Sequence, residues 1–163
     1  MNTPGTTYPV LFTLHEVVSG NGFLAGVAIM DGRGSMVREE DGWWLYGVEP
    51  GVLAEDGENP HEAHLKFAAS FKVLLFDIAA NAPTFERFQE EVVQMFSQVN
   101  EPEAVRWNEA LNAARSGRLR LEDPYLQSLP KKPPAPFGII VMPLKEANAS
   151  PELNKPTELA KAA

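Results

Sequence analysis

His61 and His64 stand three residues apart with Glu58 and Glu62 beside them, an apparent metal-ligating cluster. On a helix that spacing puts both imidazoles at neighbouring positions of one face, and zinc takes such ligands. The pattern is not HExxH, in which the histidines are four apart and a general-base Glu lies between them. A third ligand is needed, and His15 supplies one only if the first strand runs beside the helix start. The preferred reading is a solvated, acid-rich first turn that complements the helix dipole.

Asp31, Asp41, Asp56 and Asp77 are the carboxylates a metal-dependent nuclease site would draw on. Three of them precede glycine, where the side chain serves turn geometry, and only Asp77 falls on a helix. Nothing in their spacing signals the convergence that metal-assisted hydrolysis requires. Cysteine is absent, which removes thiolate nucleophiles, disulfides and Cys-based zinc sites. No Ser-His-Asp order stands out. The expectation is that the chain is not an enzyme, with no catalytic residue, metal ligand or cofactor assigned.

Gly20-Asn21-Gly22 and Gly32-Arg33-Gly34 resemble phosphate cradles in composition. Neither fits GxxxxGK[ST] or the strand-to-helix setting of GxGxxG, so both read as hairpin turns. Arg106, Arg115, Arg118, Arg120, Lys131 and Lys132 gather in one third of the chain and read as solvated helix ends. With 22 acidic and 14 basic side chains the net charge is -8, which repels phosphate backbones and favours basic partners. Nucleic acid is therefore an unexpected partner.

Trp43, Trp44 and Tyr46 carry the binding chemistry. Alternation along a strand puts Trp43 on one side and Trp44 with Tyr46 on the other, so one set belongs to the core and the other is open to a partner. Trp and Tyr anchor interfaces, and an acidic aromatic surface suits a basic protein. Phe137, Ile139 and Val141 form a second candidate, an apolar run after a stiff linker that is suited to adding a strand to a sheet of this fold, a second copy or a partner. The six residues are the partner-binding candidates.

Four Asn-Gly or Asp-Gly pairs, at 21–22, 31–32, 41–42 and 56–57, divide the elements that hold these residues. Such pairs accept the positive φ of tight hairpins. Strands are expected over 8–18, 23–30, 35–39 and 43–48, with a short one at 52–55. Asn59, Pro60 and Glu62 signal the N-terminus of a long helix. Its rows Ala63, Phe67, Phe71, Leu74, Ile78 and Leu65, Ala69, Val73, Phe76 predict cover on two sides. Thr84 and Asn100 cap two further helices, and Gly117 ends the second of them. Asp123-Pro124 suits one more short turn. Residues 130–136 favour an extended polyproline linker, 137–144 a final strand and 145–163 a disordered tail.

The fold class expected is α+β: an antiparallel β-meander packed by a long helix, then two further helices and an extended C-terminal tail. Residues 1–129 form one domain, and 130–163 a Pro-rich linker with a short strand and a tail. Neither a signal peptide nor about 20 apolar residues in a row is present, so a cytoplasmic protein without membrane association is expected.

The run Asp41-Gly42-Trp43-Trp44-Leu45-Tyr46-Gly47-Val48-Glu49-Pro50-Gly51, followed by Asp56-Gly57-Glu58-Asn59-Pro60-His61-Glu62-Ala63, resembles the HicB antitoxin-like family. There an aromatic strand leaves an acidic turn, stops at Pro-Gly, and leads through a glycine turn into a helix beginning Glu-Ala. The likeness spans about residues 37–78. It implies a partial RNase H-like sheet under one helix, and a role in binding. Family members commonly neutralise a small basic toxin that cleaves mRNA, and many carry a separate DNA-binding module. No helix-turn-helix or ribbon-helix-helix stands out here, which puts transcriptional autoregulation in doubt.

The expected function is a non-catalytic protein-binding module, antitoxin-like or immunity-like, that masks a small basic protein. The alternative is a structural homo-oligomer using the two-sided helix as its contact. A metal-dependent enzyme using His61 and His64 stands third.

Overall fold

The computed structural model describes residues 5–120 and 137–145. The elements run β1 (Thr7–Ser19), β2 (Leu24–Glu39), β3 (Gly42–Glu49), β4 (Ala54–Gly57), α1 (Pro60–Asn81), α2 (Phe85–Phe96), α3 (Glu101–Arg115) and β5 (Gly138–Leu144). The architecture is the expected α+β, one antiparallel sheet with helices on it.

β2 is the spine of the sheet. β1 pairs along nearly all of one edge, while the other edge is shared, β5 taking Leu24 to Met30 and β3 taking Arg33 to Glu39. Two strands and a turn are expected over this stretch, but Asp31-Gly32 does not reverse the chain. Phe12 pairs with Gly32 and Leu14 with Ile29, so Thr13 alone faces Met30 and Asp31. Asp31 takes φ 54, the left-handed conformation that Asp tolerates, and the extra residue makes a β-bulge. The dipeptide thus bends one long strand at the point where its second neighbour changes.

The other pairs divide similarly. Gly22 (φ 78) and Gly42 (φ 154) lie at hairpin turns. Asp56-Gly57 instead ends β4, and a Cβ at Gly57 would stand 2.4 Å from the backbone nitrogen of Ala63. That glycine is there for close approach of strand and helix. The strand expected at 52–55 is shifted to Ala54–Gly57.

α1 starts as its caps dictate. Asn59 Oδ1 accepts from the Glu62 amide at 2.8 Å, and Glu62 Oε1 accepts from the Glu58 amide at 2.6 Å. Thr84 and Asn100 accept in the same way from Arg87 and Glu103 at the starts of α2 and α3. Ala63, Phe67, Phe71, Leu75 and Ile78 of α1 are buried. Phe67 meets Phe12 edge-on at 5.1 Å, and Phe71 meets Phe96 of α2 at the same distance. The second row departs from expectation: Leu65, Val73 and Phe76 are 54%, 59% and 42% exposed. Neither later helix reaches it, because α2 packs along the buried side and α3 crosses β1, β2 and β3 around a separate cluster of Val48, Trp107 and Leu111.

The final strand expected at 137–144 is present as Gly138–Leu144, paired with β2 in the main sheet. The domain therefore extends past 129 to take in β5. The turn expected at Asp123-Pro124, the linker at 130–136 and the tail beyond Lys145 lie outside the described residues.

Candidate protein-binding surface

The two sides of β3 separate the aromatic candidates. Trp43 is buried, its ring 5.8 Å from Tyr8 and with the Arg38 guanidinium 5.6 Å from its centre. It belongs to the core and is not available to a partner. Trp44 and Tyr46 are half-buried and stack on the opposite face, centroids 5.6 Å apart and planes 12° apart. Two χ angles each and mutual stacking make them a stiff aromatic platform.

Carboxylates surround that platform. The Tyr46 hydroxyl donates to Glu39 Oε2 at 3.4 Å, and the register partner of Trp44 is Asp56. Glu40 and Asp41 are exposed in the turn that feeds β3. From α3 comes Glu103, buried to all but 8%, whose Oε2 lies 3.6 Å from Arg106 while its Oε1 has no partner. The phenol registers the local field. Burial raises the pKa of Tyr46, the charges of Glu39 and Glu103 raise it further, and Arg106 offsets part of the effect.

β5 turns the second candidate inside out. Phe137, Ile139 and Val141 pack against the core, where Gln89 of α2 also donates to the Val141 carbonyl at 3.1 Å. They hold the strand in its own sheet. The exposed residues are the alternate ones, Ile140 (45%) and Met142 (47%). With Val17, Gly26, Ala28 and His15 they line an open concavity of about 440 Å³ beyond the reach of α3. Sequence reading missed this face, although small residues at 26 and 28 between larger neighbours were a signal for it. Its lining is mostly apolar, with Glu16 and His15 as the polar members.

His15 lies in that concavity and therefore does not complete a ligand set with His61 and His64. Among the described residues no three His, Cys, Asp or Glu side chains gather to hold a metal ion. Glu62 is committed to the helix cap. Burial lowers the pKa of His64, and the neighbouring His61 lowers it further. Gly32-Arg33-Gly34 lies within β2, where Arg33 pairs with Glu49 at 2.7 Å and covers the Trp107 ring at 5.4 Å. Among the described residues no helix is long and apolar enough to cross a membrane. Comparison with protein-family models, curated proteins and solved structures finds no match to this chain.

Proposed function

We propose that this chain is a non-catalytic protein-binding module, antitoxin-like or immunity-like, that masks a small basic protein. The observation that carries the reading is the half-buried Trp44–Tyr46 stack, whose phenol is hydrogen-bonded to Glu39 at 3.4 Å. A rigid aromatic pair supplies contact area at low entropic cost, and surrounding carboxylates favour lysine and arginine over acidic competitors. The net charge of -8 acts in the same direction at longer range. The likeness of residues 37–78 to HicB antitoxins supports the same class of partner, and Trp44 and Tyr46 lie within that stretch.

The test is affinity purification from the native host with the wild-type chain and with a Trp44→Ala/Tyr46→Ala variant, followed by mass spectrometry. A small basic protein retained by the first and lost from the second is expected. Equal recovery with both, or no basic protein with either, would overturn the proposal. A short basic reading frame beside the gene is the genomic counterpart of the same expectation.

A further inference from the structure

Helix α1 has an apolar outer side that the described structure leaves uncovered. Leu65, Val73 and Phe76 are exposed there, with Ala69 and Ala80 on the same side. At 100° per residue these five side chains fall within a stripe roughly 80° wide and about 22 Å long. An amphipathic surface helix has one apolar stripe, and α1 already spends one on the core.

Charge placement along the stripe is what identifies its occupant. Lys66 and Asp77 flank the same side of it, eleven residues and thus three helical turns apart. Beside a second α1 running antiparallel, the two-fold axis brings Lys66 of each copy opposite Asp77 of the other. The same register sets Leu65 against Phe76 and Ala69 against Val73, while Lys72 of each copy borders the other side of the stripe near the axis, 3.9 Å from Glu16 of its own chain. Ala69 near the axis lets the helices approach to the short end of the usual 8–10 Å range. A surface complementary to itself under a two-fold rotation is what an isologous dimer requires. The Lys66–Asp56 pair within one copy, 3.5 Å with both side chains about half exposed, offers little resistance to exchange.

We infer that two copies of this chain associate through antiparallel α1 helices, with Leu65, Ala69, Val73 and Phe76 as the seam and Lys66–Asp77 pairs at both ends. This interaction is separate from the Trp44–Tyr46 surface, which lies on the opposite face of the sheet from the core that α1 covers.

Sedimentation equilibrium on the full chain, from low micromolar to several hundred micromolar, tests it. The expected result is a monomer–dimer equilibrium that Val73→Lys weakens at least about tenfold, the far-ultraviolet spectrum remaining that of the wild type. Lys66→Asp should weaken it by several-fold, and Lys66→Asp/Asp77→Lys should recover most of the loss. Trp44→Ala/Tyr46→Ala should leave it unchanged, which separates failure here from failure of the masking proposal. A monomer throughout, a dimer indifferent to Val73→Lys, or no recovery in the charge-swapped double variant would overturn the inference.

Discussion

Trp107 donates its indole Nε1–H to the carbonyl oxygen of Val10 at 3.2 Å, joining residues 97 apart in the sequence. β1 is the outer strand of the sheet, and α3, which crosses the sheet face, reaches its backbone through this bond. One side chain thus fastens α3 to the sheet edge and, by carrying Arg33 over its ring, to β2 as well. Trp107→Phe should keep most of the packing and lose the donor, leaving a buried acceptor at a cost of about 1–3 kcal/mol. Trp107→Ala should cost about 3–5 kcal/mol. Urea denaturation midpoints check both, and a Phe variant as stable as the wild type would show that the hydrogen bond contributes nothing.

Tyr46 predicts a loss of stability in alkali. Its folded pKa is raised above the ordinary 10.0 by burial and by Glu39 and Glu103. The neutral phenol is the form the fold prefers, so its contribution is complete below pH 10.0 and disappears as pH rises through the higher folded value. Tyr46→Phe should flatten stability across that window. Glu39→Gln should bring the phenol's titration back toward 10.0, read from tyrosinate absorbance after subtracting the Tyr46→Phe spectrum.

The opposite sign applies to His64. Burial and His61 hold its folded pKa below 6.5, favouring the neutral ring. Its contribution is present above pH 6.5 and is lost as pH falls through the lower folded value. Denaturation midpoints measured down to about pH 5 should fall, and His64→Gln should reduce the slope. A His64 resonance titrating at or above 6.5 would contradict this account.

Asn21 closes the far end of α1 from the β1–β2 turn. Its Nδ2 lies 3.0 Å from the Ala82 carbonyl and 3.3 Å from that of Ala80, groups left over where the helix stops. Asn21→Ala should cost about 1 kcal/mol and speed amide exchange in the last turn of α1. Asn21→Asp should be worse than Ala, because a carboxylate would then face carbonyl oxygens at the negative end of the helix. Thermal melts and hydrogen exchange distinguish the three proteins.

Helices were legible in the sequence because their signals are local. Asn59, Thr84 and Asn100 each accept from the amide three residues on, and the apolar rows follow at once. The strand pattern was legible only in part. Asp31-Gly32 has the composition of a turn, but pairing to β1 and β3 on either side holds the chain extended there, and the dipeptide is spent on a bulge. For the candidate surface, alternation separated Trp43 from Trp44 and Tyr46 without saying which set faced the core. Tyr8 and Leu45 decide that from the buried side. Phe137, Ile139 and Val141 stand out in the sequence for their apolar character, and that character is what turns them inward. The carboxylate of Glu103 comes from a helix that no local pattern links to β3.

The shared edge of β2 imposes an order on events during synthesis. Leu24 to Met30 leave the ribosome early, yet their second hydrogen-bonded neighbour, Gly138–Leu144, lies far along the chain. For most of translation that half of the strand is a sticky template waiting for its own carboxyl-terminal neighbour, and Ile29 and Val27 beside it are apolar. Until β5 docks, that length of β2 is an open edge able to pair with another chain.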